Sequence, residues 1–339
     1  MPIFKPGAAQ AANPLQLSFA ERLRTGRVVP VVSDEALADL VLGGWQGLVL
    51  GYADYAEYPL PDRDNLVKVA KYRQLFAEEA PGRLGLQDQA LKADYLNWVK
   101  NSIYGTAKAQ GAGQELLAEA EAQVDSKTVS EFAHVLGLPN FEGGPAAAMR
   151  VWADLPVQVV LTTSPYTFIE DALRRAGKTP RTELCRWRKE LDSIEPAIDG
   201  AYRPCAQEPL VYHLHGLDAY PDSLVLTEDD YLEFLVNVCQ GQGNNAADRV
   251  HALVRQALFN DLILLGYQLA SWSFRTLYAG LIKPNGKQED RGVVTLQVTP
   301  SAAEKRYLDD YLRREARFQV SWGTLGEYTE SLRQILAGQ

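Results

Sequence analysis

Short β-branched runs alternate along this chain with stretches whose apolar residues recur every three or four positions. That alternation predicts both element types. Val28–Val32 (VVPVV) is the first strand candidate, and Val157–Thr163 (VQVVLTT) is the second. Leu210–His215, Leu262–Gly266 (LILLG), Val293–Val298 and Phe318–Trp322 follow. Helical spacing covers Phe19–Leu23 as a single turn, then Glu35–Leu42, Phe168–Ala176, Tyr231–Val238, Asp248–Leu258, Ser273–Ile282, Ala302–Glu315 and Tyr328–Leu336. From Asp64 to Leu138 the pattern is helical throughout, without β-branched runs, and reads as an all-helical insertion. Gly43-Gly44 and Gly177 end helices, and Gly241-Gln242-Gly243-Asn244-Asn245 is a flexible break. Residues 178–208, with Pro180, Pro196 and Pro204, read as irregular. Strands alternating with helices predict an α/β fold built on a mostly parallel, doubly wound sheet. Residues 1–27 form an arm, loosest over 1–14, and 28–339 one large domain carrying the insertion at about 64–138.

The segment Pro209–Tyr231 (PLVYHLHGLDAYPDSLVLTEDDY) carries the most chemistry. A buried strand ending in His215-Gly216 leaves an imidazole at the strand's carboxyl edge, where open α/β sheets bind ligands. An imidazole is able to accept a proton at pH 7. Thr227-Glu228-Asp229-Asp230 has the Ser/Thr-x-x-Asp/Glu form of a capping box. The segment therefore predicts strand, histidine-bearing loop, second short strand and capped helix.

Composition narrows the function class. The 339 residues are 46% hydrophobic and 23% charged, with a net charge of −9. That balance argues against direct nucleic-acid binding and against anionic membrane surfaces. Cys185, Cys205 and Cys239 are too scattered for a disulfide framework or a zinc ribbon, so no metal is expected. Neither a signal peptide nor an apolar run of about 18 residues is visible, so a cytoplasmic protein is expected.

Four elements, in order, resemble a known family: VVPVVS, LTTSPYTFIEDAL, VYHLHG with SLVLTEDDY, and LLGYQLASWSFRTL. Together they resemble the sirtuin-like proteins of bacterial immune systems, from about Val28 to about Ile282. The resemblance implies a Rossmann-like sheet with NAD across its carboxyl edge and cleavage of the nicotinamide–ribose bond. Some members deacylate lysine; the immune branch mostly hydrolyses NAD. His215 matches the catalytic histidine, followed by Gly216. Leu264-Leu265-Gly266-Tyr267 resembles the turn near the adenosine half. Thr162-Thr163 resembles the strand end whose next residue is usually an asparagine touching the nicotinamide ribose; here that residue is Ser164. Ser33-Asp34-Glu35 stands where the family has Gly-Ala-Gly, so two carboxylates replace a bare phosphate-binding backbone. The deacylases' zinc-binding cysteine quartet is absent. The resemblance thus makes His215 catalytic and puts Ser33, Thr162, Thr163, Ser164, Gly216, Gly266 and Tyr267 beside NAD.

Several of these residues also have purely structural readings. His213 is better read as packed or hydrogen-bonded than as a metal ligand, since no third ligand is evident. Ser164 is equally a turn residue before proline or a ribose contact. Ser33 or Asp34 reads as the cap of the helix that follows, and Asp34 and Glu35 as helix-capping and dipole-complementing acids. Asp229 and Asp230 read as a helix start, and Arg275 as a solvated helix-face residue able to reach a phosphate. The leading function is an NAD-hydrolysing module of a prokaryotic defence system, with antiviral defence its role. The alternative is a catalytically degenerate subunit serving as an oligomerisation or partner-binding scaffold. Lysine deacylation and nucleotide sensing rank below both. A homo-oligomer, and a partner protein from the same defence locus, are expected; a membrane is not.

Overall fold

The computed structural model describes residues 21–80, 83–240, 248–284, 294–298, 305 and 319–337. Seven strands form the main sheet: β1 Val28–Val32, β2 Val159–Thr162, β3 Arg181–Leu184, β4 Leu210–His213, β5 Asp261–Leu265, β6 Val294–Val298 and β7 Gln319–Trp322. Their order is β3-β4-β2-β1-β5-β6-β7, and every pairing is parallel. From β1 the chain builds outward on one side through β2, then crosses to build β5, β6 and β7 on the other. The reversal of direction beside β1 opens a crevice at the strands' carboxyl ends, the usual ligand position in such sheets.

Strands β1, β2, β4 and β5 are buried throughout, as central parallel strands must be when helices cover each side. Period-two alternation sorts their side chains. Val28, Val32, Val160, Val211, Ile263 and Leu265 enter one core. Val29, Val31, Val159, Leu161, Leu210, Tyr212, Leu262 and Leu264 enter the other. The first core receives α1 (Asp34–Val41), α2 (Trp45–Tyr55), α3 (Leu66–Phe76), α4 (Asp88–Ala109), α5 (Gln114–Gln123), α6 (Val129–Val135), α7 (Ala148–Asp154) and α8 (Phe168–Arg175). The second receives α9 (Glu228–Gln240), α10 (Ala252–Ala257) and α11 (Trp272–Leu277). A last helix, α12, spans Leu325–Ala337. Tyr52, Leu91, Tyr95, Val99 and Phe132 share their cluster with Val32 and Leu265, so the helical stretch is a layer on the sheet.

Five expectations change, the first being that helix α7 lies beyond the stretch read as helical, where no element was expected. Helix α2 lies where no element was expected, because Gly47 and Gly51 dilute its pattern. A Cβ on Gly51 would come 3.1 Å from the Trp98 ring, a tight contact. The stretch 64–138 also contains a small antiparallel hairpin, Glu78–Ala80 with Arg83–Leu84. Strand β3 lies inside the stretch read as irregular; at the sheet's edge it has only Glu183 and Leu184 buried, too few to show alternation. The short strand expected after Gly216 is absent. Pro221–Ser223 forms a 3-10 turn there, and Leu224–Leu226 is buried, held by the Val225 N–H donating to the His215 carbonyl at 3.1 Å. The arm at 1–14, the break at 241–245 and the helix at 302–315, apart from residue 305, lie outside the described residues. Among the described residues, no single helix is long and apolar enough to cross a membrane.

Candidate functional site

Strand register sets the site. Val32 pairs with both Thr162 and Leu265, and Thr162 pairs with His213. The residues just beyond, Ser33, Thr163, Leu214 and Gly266, therefore stand in one row. Above that row is a cleft of about 510 Å³, lined by Asp34, Glu35, Thr163, His215, Tyr95, Tyr231 and Trp272 among others. Of the residues singled out from the sequence, His215 and Thr163 face it, as do Asp34, Glu35 and Arg275. Ser33, Thr162, Ser164, Gly216, Gly266 and Tyr267 are not among its lining residues.

The loop after β1 has its own donors already in use. Ser33 caps α1: its hydroxyl accepts from the Ala36 N–H at 3.0 Å. The Asp34 N–H donates to the Thr163 hydroxyl at 3.3 Å. Gly266, with φ +73°, packs directly behind; a Cβ there would come 2.4 Å from the Ala36 Cβ. That glycine is required by the approach of β5 to α1. Asp34 is partly buried and Glu35 is 3% exposed. Asp34 Oδ1 and Glu35 Oε2 have no hydrogen-bond partner. Burial, with the adjacent Glu35 charge adding and the Ser164 hydroxyl opposing, pushes the Asp34 carboxyl up to about 7. Burial also pushes Glu35 up to about 7, against hydrogen bonds from its own backbone and from the Ser271 and Ser33 hydroxyls. Of the two cap candidates, Ser33 and Asp34, it is Ser33 that caps. The acids themselves are desolvated groups that exchange protons near neutrality, a property concentrated at functional sites.

The end of β2 is tied down from several directions. The Thr162 hydroxyl donates to the Val32 carbonyl at 2.9 Å and accepts from the Ser164 N–H at 3.0 Å. The Thr163 hydroxyl also accepts from the Ser273 hydroxyl at 3.1 Å and lies 3.4 Å from the Tyr267 hydroxyl. Ser164 is fully buried behind the strand end, where its hydroxyl accepts from the Tyr166 N–H at 3.3 Å.

Two histidines, two residues apart, have opposite surroundings. His213 ends β4, with Nδ1 2.7 Å from the Ser164 carbonyl and Nε2 2.9 Å from Glu170 Oε1. Burial pulls its pKa down, but the Glu170 charge and these hydrogen bonds more than reverse that, so the net direction is up. This is the hydrogen-bonded histidine expected from the sequence. His215 is 4% exposed and its Nε2 has no partner. The ring meets Tyr231 edge-on at 5.2 Å and Phe234 at 4.9 Å. Burial alone lowers its pKa to about 3, so the ring is neutral at pH 7. Gly216 (φ +92°) turns the chain away immediately; a Cβ there would lie 2.2 Å from the Ser223 carbonyl oxygen.

The capping box orients the aromatic partner of His215. The Asp230 N–H donates to the Thr227 hydroxyl at 3.3 Å, and Asp230 Oδ2 accepts from the Thr227 N–H at 2.9 Å. Fully buried Lys92 on α4 braces Asp230 Oδ1 at 3.1 Å and Asp88 at 2.9 Å. Tyr231 follows directly and turns onto His215. Beside Tyr231 the sequence favours the helix-start reading only for Asp229 and Asp230, and it does not single out Tyr95 and Trp272 as cleft residues. Their spacing signals only burial, and the facing partners come from distant segments. Among the described residues no group of three His, Cys, Asp or Glu side chains is placed to hold a metal.

Residues 158–315 match the family model of the SIR2-like domain, just under half of the chain. The span takes in β2, β4 and β5, and with them Thr163, His215 and Gly266, while β1 and α1 lie before it. SIR2-like domains bind NAD, and the cleft's unpartnered His215, Asp34 and Glu35 atoms leave polar positions for such a ligand. No curated protein matches the chain.

Proposed function

We propose that this sirtuin-like chain is the NAD-hydrolysing module of a prokaryotic defence system, releasing nicotinamide and ADP-ribose. The observation that carries the reading is the buried, unpartnered Nε2 of His215 on the wall of the cleft. A volume of about 510 Å³ falls within the usual range for small-molecule and cofactor sites. In the reaction, the bond between the nicotinamide nitrogen and the ribose carbon breaks, and its electron pair leaves with neutral nicotinamide. Water adds to the oxocarbenium-like carbon and gives up a proton. The neutral imidazole of His215 is in the form that accepts that proton, or one from a ribose hydroxyl. The edge-on rings of Tyr231 and Phe234 hold its plane.

The test is released nicotinamide from purified protein, with and without the product of the neighbouring gene. His215→Ala is expected to lower the rate by roughly 10²–10⁴-fold with the thermal midpoint little changed. A parental rate in that variant would overturn the assignment.

One observation favours the second reading, a degenerate oligomerising or partner-binding scaffold. Two of the first three amides of α1, those of Asp34 and Ala36, are satisfied by the Thr163 and Ser33 hydroxyls, so the helix end withholds donors that a pyrophosphate normally uses. That reading expects no nicotinamide under either condition, and a stable complex with another copy or with a partner protein of the same locus.

A further inference from the structure

We infer that the Asp34–Glu35 pair reads the hydroxyls of a ribose and not a phosphate. The inference rests on the reading that the cleft takes NAD, and it assigns the loop after β1 a ligand chemistry of its own. Buried hydrogen-bond donors and acceptors must be matched, and at this loop they are not. Asp34 Oδ1 and Glu35 Oε2 are buried acceptors without donors. Leaving such groups unpaired is costly, so a ligand that supplies O–H donors is favoured there. The donors at the same place, the Asp34 and Ala36 amides, are already taken by Thr163 and Ser33. A phosphate brings only acceptors and negative charge; the remaining amide, that of Glu35, already faces its own carboxylate, and the loop carries no counter-charge. A ribose diol brings two donors at the spacing a carboxylate accepts.

The surroundings agree. Tyr95 from α4, Tyr231 from α9 and Tyr267 after β5 come close enough to feel these charges, and burial keeps all three phenols protonated. His215 is neutral, and Asp39 adds only more negative charge near Glu35. The cleft's two cations line it from other helices: Lys68 on α3, paired with Asp62 at 2.6 Å, and exposed Arg275 on α11. Asp64 and Glu228 add further acid to the lining. Phosphate attraction in this cleft therefore comes from α3 and α11, while α1 offers acceptors.

The sign of proton linkage separates the two chemistries. Burial pushes both carboxyls up to about 7. A diol favours the ionised form, so binding releases a proton; a neighbouring phosphate favours the neutral form, so binding takes one up. The experiment is calorimetry of the full chain with ADP-ribose and with inorganic pyrophosphate, at pH 7, in two buffers of different ionisation heat. ADP-ribose is expected to bind with proton release. Asp34→Asn with Glu35→Gln is expected to weaken it roughly 10- to 100-fold and to abolish the release. Pyrophosphate affinity is expected to be unaltered by the same change. A variant melting point at pH 8 no lower than the parent's shows that the loss is not unfolding. Proton uptake, or tighter binding of either probe by the variant, overturns the inference. If the chain hydrolyses NAD while the variant binds ADP-ribose as the parent does, this inference falls and the hydrolase reading stands. If ADP-ribose fails to bind at all, both fall.

Discussion

His213 and His215 show how little a residue's identity says about its ionisation. His213 is matched at both nitrogens, by the Ser164 carbonyl and Glu170, and its pKa is raised. Its contribution to stability is full below the ordinary value of 6.5 and is lost as pH rises through the higher folded value. His213→Ala leaves the buried Glu170 carboxylate with only the Thr182 hydroxyl, and is expected to cost about 3–5 kcal/mol in denaturant unfolding. His215 works in the other direction. Its folded value is about 3 against an ordinary 6.5, so only the unfolded chain gains the proton as pH falls through that window. That steadily lowers stability on the acid side. Asp34 and Glu35 have folded values of about 7 against ordinary values of 3.8 and 4.5. The folded chain holds their protons more tightly, so their contribution worsens as pH rises from about 4 to 7 and stays unfavourable above. Asp34→Asn with Glu35→Gln is therefore expected to raise Tm at pH 8 by about 2–5 °C and to change it little near pH 4. An equal shift at both pH values would show that ionisation of the pair is not the cause.

Among the elements, α1 and α9 were the most legible, because their start signals lie within four residues of the first turn. Ser33 and the Thr227–Asp230 box cap as their residue types predict. Helix α2 and strand β3 were not legible. Gly47 and Gly51 in the one, and a half-exposed edge register in the other, remove the periodicity that marks an element. Gly266 teaches a related point. It was read as an approach to a ligand, but its near neighbours are Ala36 and Ser33. Gly266→Ala combines a left-handed backbone with a Cβ 2.4 Å from the Ala36 Cβ. It is expected to cost roughly 2–4 kcal/mol and to push α1 away from β5. ADP-ribose affinity should fall with it, because Asp34 and Glu35 ride on α1. Parental stability in that variant would mean the turn has more room than its contacts imply.

At the level of the whole molecule, alternating strand and helix patterns were enough to name an α/β protein with a parallel sheet. Each strand's apolar run and each helix's three-four spacing is encoded within a few neighbouring residues. The His215-Gly216 strand end and the capping box after it were legible for the same local reason. The sheet order β3-β4-β2-β1-β5-β6-β7 was not, since pairing partners such as Val32 and Leu265 are far apart in the chain. Nor was the burial that governs the site's chemistry. A carboxyl such as Glu35 has an ordinary pKa until desolvation raises it, and that happens only when other elements close over it. Tyr95, Tyr231 and Trp272 reach the same cleft from α4, α9 and α11. Local patterns thus carry which elements form and where their chemical groups sit along them. Proximity and desolvation, and with them the neutral His215 and the proton-holding Asp34–Glu35 pair, arise only from packing between distant segments.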